Sequence, residues 1–142
     1  MIKLGMLDEH IGFHLRLAQD VSFRAYARQA GAPHLKPGRF AAMTVIKNNP
    51  GISQIALGRA ISRDKSTITP MVRELVSLGL VERVPSTIDR RSMTLTLTSA
   101  GDAMLDDLAR AAEAHDRRLD EVVGDQKAVL IELLKKIEDA LV

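Results

Sequence analysis

Most apolar residues in this 142-residue chain recur at helical spacing, and two short stretches alternate instead. Near the start, Leu7, Ile11, Leu15 and Ala18 form one stripe and Phe13, Leu17 and Val21 form another. The pattern predicts a helix from about Asp8 to Ala30, ended by Gly31 and Pro33. A helix that is apolar on more than one side is buried on more than one side, which in so small a chain points to a partner subunit. A second helix is expected from Lys36-Pro37 through Phe40, Met43 and Ile46, because proline suits a first helical turn. The cluster Asn48-Asn49-Pro50-Gly51 breaks it. Ser53 is a suitable N-cap for a short helix, about Gln54 to Ile61. The tight connection Ser62-Arg63-Asp64 then leads into a helix from Lys65 to Leu78, with Gly79 as its left-handed cap.

The alternating stretches follow. LVERV (80–84) and MTLTLT (93–98) read as half-buried strands, and the polar PSTIDRRS between them makes a hairpin with a basic tip. Thr98 or Ser99 caps a further helix to about Val123, with Ser99 and Asp102 spaced as in a capping box. Gly124-Asp125 separates a last helix, about 126–142, striped by Val129, Leu130, Leu133, Leu134, Ile137 and Leu141. That stripe is too broad for a helix standing free in water. The order predicts a mainly α fold with a small β-hairpin wing. It is a winged helix-turn-helix flanked by helices that cannot bury themselves.

Composition narrows the chemistry. There is no cysteine, which excludes disulfides, thiolate metal sites and cysteine redox sensing. No apolar run approaches membrane-spanning length, and nothing resembles a signal peptide, so a cytoplasmic protein is expected. Net charge is only +2, but it is uneven. Residues 1–51 hold seven Lys/Arg and three acids, 52–94 hold seven and four, and 95–142 hold six and eleven. The first two-thirds therefore carry the positive charge, which fits either ordinary surface variation or a face for an anionic polymer. No nucleophile elbow, Gly-rich phosphate loop or cysteine nucleophile is present, so no enzyme is expected. The acids of DAMLDDL (102–108) suit a helix start instead.

The helix over 65–78 has the most informative surface. Stepping 100° per residue puts Ile68, Met71, Val72, Leu75, Val76 and Leu78 on one face. Ser66, Thr69, Pro70, Arg73 and Ser77 share the opposite face, which is small, hydroxylated and basic. Such a face suits the major groove, where hydroxyls donate or accept, Thr methyls meet thymine methyls and Arg grips guanine. A plain solvated face has the same composition. The adjoining hairpin, with Arg83 at its base and Asp89, Arg90 and Arg91 at its tip, favours the groove reading, since arginine is drawn into narrow minor grooves. Asp89 stands where its carboxylate could orient the Arg91 fork. Pro70 lies in the first two turns and on the outer face, so it displaces no core contact, and its donor-free ring can rest on sugar or a thymine methyl.

These residues resemble the MarR family of bacterial transcriptional regulators. Gln54, Leu57, Ala60, Asp64, Ser66, Thr67, Thr69, Val72 and Leu75 match its helix-turn-helix. GLVER (79–83) matches its hinge into the wing, and Asp89, Arg91, Leu97, Thr98 and Gly101 match its wing signature. Lys36 stands where a hydroxyl cap is usual, Gly58 where Ala is usual, and Ser62 where the turn Gly is usual. The resemblance implies one MarR-like domain over 1–142, with the winged helix-turn-helix at about 36–98 and dimerisation helices at about 8–31 and 99–142. It implies a homodimeric repressor on a pseudo-palindromic double-stranded operator, without a cofactor. The expected DNA-facing residues are Ser53, Lys65, Ser66, Thr67, Thr69, Pro70, Arg73, Arg90 and Arg91, with Asp89 orienting the wing.

Family members often respond to small phenolic or carboxylate effectors held between the dimer helices and the winged domain. His14, Arg16, Phe40, Met43 and Thr44 are the expected lining. The opening HIGFHLRLAQ is similar to members that sense aromatic acids or their coenzyme A thioesters. Two alternatives stay open. His10 and His14 lie four apart on one helical face and could share a metal in a zinc-responsive regulator; no third ligand stands at supportive spacing, although Glu9, His115 and Asp116 could approach in a dimer. A DNA-binding adaptor without an effector is the other.

Overall fold

The computed structural model describes the chain except for residues 33–35, 62–64 and 90, and the side chain of Lys65. Six α-helices and three strands are described: α1 (Ile11–Gln29), α2 (Arg39–Asn48), β1 (Ile52–Ser53), α3 (Gln54–Ile61), α4 (Lys65–Ser77), β2 (Val81–Pro85), β3 (Met93–Leu97), α5 (Ser99–Val123) and α6 (Lys127–Ala140). The strands form one antiparallel sheet in the order β1-β3-β2. Val81 pairs with Leu97 and Pro85 with Met93, so the expected hairpin is present. β1 was not expected. Its two residues are too few to show alternation, and it exists because Ile52 and Ser53 pair with Leu95 and Thr94.

One core gathers the winged helix-turn-helix. α2 contributes Ala42, Met43 and Ile46, α3 Leu57, and α4 Ile68, Val72 and Leu75. Leu80, Val81 and Leu95 close it from the sheet side, and Leu105 and Leu108 of α5 cover one end. The spacing of four and three between the α4 residues is that of a single helical face.

Helix ends account for most departures from expectation. α1 begins at Ile11, three residues late, because His10 is extended (φ −92°, ψ 119°) and a 3-10 turn covers Gly5–Glu9. The break is held by His14, whose Nε2 donates to the Asp8 carbonyl at 2.8 Å. α2 begins at Arg39, since Gly38 is left-handed (φ +85°) and cannot be helical. Pro37 therefore sits in the preceding turn. α4 ends as expected: Gly79 has φ +73°, its N–H donates to Val76, and Leu80 N–H reaches back to Leu75.

The N-cap of α5 is Thr98, whose Oγ1 accepts from Gly101 N–H, so Gly101 and not Asp102 is the paired position. Thr98 also ties three elements together. Its hydroxyl donates to the Gly79 carbonyl at 2.6 Å and its N–H to the Leu80 carbonyl at 3.1 Å.

The terminal helices leave their apolar stripes uncovered. On α1, Ile11 is 70% and Val21 57% exposed. α6 contributes no buried residue at all, and Val129, Leu130, Ile131 and Leu133 all lie exposed. No described helix is long and apolar enough to cross a membrane.

Candidate nucleic-acid interface

α4 divides largely as its sequence predicts, except that Leu78, expected on the packed face, lies just past the last turn and is 53% exposed. Ile68, Val72 and Leu75 are buried, whereas Ser66, Thr67, Thr69, Pro70, Arg73 and Ser77 are exposed. Pro70 is the sixth residue of the helix and its ring faces out. Two contacts set this helix against its neighbours. Gln54, the first residue of α3, donates from Nε2 to Thr69 Oγ1 at 3.2 Å. Glu74, on the flank of α4, is gripped by Arg39, the first residue of α2, and by Lys36 Nζ at 3.2 Å. Hydrogen bonds from Arg39, and then from Lys36, hold the Glu74 carboxyl below its ordinary range. Ser53 is half-buried and caps α3, its Oγ accepting from Ala56 N–H at 3.1 Å.

The wing beside this helix is a turn stapled by its own side chains. Ser86 Oγ accepts from the N–H groups of Ile88 and Asp89, and Ser86 N–H donates to the Ser92 carbonyl at 2.8 Å. Asp89 Oδ1 accepts from the Arg91 peptide N–H at 3.0 Å. The carboxylate thus holds the Arg91 main chain, in place of the guanidinium fork that was expected to be its partner. Arg91 itself is exposed. Arg90 and the Lys65 side chain lie outside the described residues.

The five expected effector-lining residues are not brought to one place. Arg16 borders an open groove of about 650 Å³ with Leu7, Glu9, His10 and Phe13, its guanidinium 5.8 Å from the Phe13 ring centre. His14 is engaged with the Asp8 carbonyl. Phe40 lines a separate hollow of about 400 Å³ with Ala109, Ala112, Glu113, Asp116 and Arg117 of α5. Met43 has no exposed surface and belongs to the core, so it faces neither space. Thr44 turns its hydroxyl back to the Phe40 carbonyl at 2.7 Å.

Behind Phe40 lies a cluster the sequence did not reveal. Tyr26 sits 6.1 Å from both the Phe40 and His115 rings and donates to the Leu108 carbonyl. Burial raises its phenol pKa. Ser22 Oγ and His115 Nε2 are 2.9 Å apart. Among the described residues, no group of three or more His, Asp or Glu side chains could hold a metal.

A short helix joined to a helix with a small, polar, basic outer face, and a stapled wing beside it, make this a winged helix-turn-helix DNA-binding protein. The MarR family model matches residues 35–93. A Thauera aromatica protein assigned to transcriptional regulation of the hcr operon is 36% identical over 135 residues, covering 94% of this chain and 81% of its own. The structure of the repressor CouR bound to a 23-mer DNA duplex is 30% identical, with TM-score 0.85, and 97% of this chain and 99% of that one are covered. CouR bound to p-coumaroyl-CoA superposes with TM-score 0.84 at 28% identity, covering 97% and 98%. The chain belongs to the MarR family. It is a transcriptional regulator and not an enzyme.

Proposed function

We propose that the protein is a homodimeric repressor that binds a pseudo-palindromic operator and leaves it when a small anionic or aromatic effector binds. The observation that carries the DNA-binding part is the exposed outer face of α4 beside the wing. Ser66, Thr67, Thr69, Pro70 and Arg73 enter the major groove, and Arg91 reaches the flanking minor groove. Ser53 lies at the start of α3, where a helix N-terminus meets a phosphate. Lys65 and Arg90 supply further positive charge.

The uncovered stripes of α1 and α6 support the dimer. An exposed apolar surface of this extent rarely persists in a monomer, and a second copy buries it symmetrically. Effector control finds support in the hollow whose lining includes the Phe40 ring and Arg117, beside Glu113 and Asp116. That pairing suits an aromatic acid or its coenzyme A thioester. The known complexes of CouR, with DNA and with p-coumaroyl-CoA, are of the same kind.

The test is a gel shift on the gene's own upstream region, with and without a panel of aromatic acids and acyl thioesters. Specific retardation relieved by a panel member is expected. Retardation that no effector relieves, together with no thermal stabilisation by any of them, would make the protein an adaptor. A monomer by light scattering at micromolar concentration would refute the dimer.

A further inference from the structure

Gln54 does not lie on α4, yet it touches the centre of the α4 outer face. It is the first residue of α3, after Ser53, whose backbone pairs with Thr94 and whose hydroxyl caps the helix. That anchoring leaves the Gln54 side chain half-buried and directed across the helix-turn-helix to Thr69, fifteen residues on. We propose that Gln54 is a positioning residue that sets the hydrogen-bond polarity of Thr69, and through it the base preferred by α4. This rests on the DNA-binding reading above.

The chemistry is one of proton counting. The Gln54 atom 3.2 Å from Thr69 Oγ1 is the amide nitrogen, which carries only hydrogens. The Thr69 oxygen must therefore accept. Its single hydrogen points away from Gln54. Thr44 shows the ordinary alternative, a helical hydroxyl spent on the carbonyl four residues back. Gln54 occupies the acceptor side of the Thr69 hydroxyl, and on this proposal the donor serves the groove.

In the major groove, a fixed donor discriminates. Guanine offers O6 and N7, adenine offers N7 and thymine offers O4, all acceptors, whereas cytosine offers only an amino donor. Thr69 then disfavours cytosine at one position of each half-site. A freely rotating hydroxyl would accept as readily as donate and would select nothing.

The experiment is a double-mutant cycle with Gln54→Ala and Thr69→Ala, read by competition binding to the operator and to a random duplex. Gln54→Ala should weaken operator binding roughly two- to ten-fold, the worth of one hydrogen bond. It should leave random-duplex affinity and the salt slope unchanged. In the Thr69→Ala background it should cost nothing further, whereas Thr69→Ser, which keeps the hydroxyl, should retain the dependence. Gln54→Glu presents only acceptors, so Thr69 should turn its hydrogen inward. Base preference at that one position should then move toward cytosine, whose major-groove edge offers only a donor. Additive losses, or equal losses on operator and random duplex, would mean that Gln54 contacts phosphate by itself and would overturn the proposal. A parent protein that fails to distinguish its upstream region from random DNA would instead bring down the DNA-binding reading, and this inference with it.

Discussion

Gly101, in the first turn of α5, is the position where one methyl group should do the most damage. A Cβ there would lie 2.1 Å from the Leu80 carbonyl oxygen and 3.1 Å from its carbon. A normal C···O contact is about 3.3 Å, so the Leu80 peptide would have to retreat by about 1.2 Å. Leu80 is only 5% exposed and packs in the core, and its carbonyl accepts from Thr98 N–H. Overpacking of this kind costs about 1–3 kcal/mol, and the strained hydrogen bond adds about 0.5–1.5 kcal/mol. Against this, alanine is the better helix former by up to about 1 kcal/mol. The clash wins, and Gly101→Ala should lose about 0.5–3.5 kcal/mol. Gly58→Ala is the natural control, because its Cβ meets Ile68 Cγ1 at 3.4 Å, an ordinary contact. There the propensity gain stands nearly alone, and stability should rise by up to about 1 kcal/mol. Urea denaturation at one fixed protein concentration should move the two midpoints in opposite directions. A Gly101→Ala protein as stable as its parent would refute the reasoning.

Three further outcomes are expected. Arg91→Ala should weaken operator binding by about 1–3 kcal/mol in gel shifts; equal affinities would end the wing assignment. Pro70→Ala should keep the fold, with an unchanged or raised melting temperature, since the ring is exposed and early in α4. It should alter operator affinity or sequence preference, and a large loss of melting temperature with unchanged binding would contradict this. Glu74→Gln tests the Arg39–Glu74–Lys36 contact. The Glu74 carboxyl is held below its ordinary 4.5, so its stabilisation is present above that pH and lost as pH falls through the depressed value. The parent should therefore lose more stability than Glu74→Gln on acidification below about pH 4.5, and parallel pH profiles would show the contact to be idle.

What the sequence disclosed was whatever is local. α4 was legible because its buried and exposed residues differ sharply in kind, and its end because Gly79 is the one residue type suited to a left-handed cap. The hairpin was legible from the alternation of Leu95 and Leu97 with threonines. The misses come from contacts between distant residues. β1 is a strand only because β3 lies beside it. The break at His10 is secured by a side chain four residues on, and the late start of α2 by a glycine hidden behind a favourable Lys-Pro. The same holds at the interface. Exposure of Ser66, Thr69 and Arg73 followed from periodicity, whereas no spacing rule links Gln54 to Thr69 or Arg39 to Glu74. Asp89 had the right neighbour and the wrong atom: at a separation of two residues, a short carboxylate reaches a peptide nitrogen sooner than a guanidinium. Within one chain the expected effector residues lie apart, because periodicity along α1, α2 and α5 does not say how those helices cross, and the same gap hid the Tyr26–His115 cluster.

The knot at Thr98 has a mechanical meaning. It fastens the junction of α4 and β2 to the start of α5, so that on the proposed function the helix that reads the groove would move with α5 as with a long handle. α5 has 25 residues and is therefore about 37 Å long, so a tilt of about 5° at its far end carries the reading head through about 3 Å. In the proposed dimer, half-sites one turn of DNA apart would tolerate little error in that span. An effector of the proposed kind, lodged along the handle, would need to touch no DNA contact to matter; leverage would do the rest.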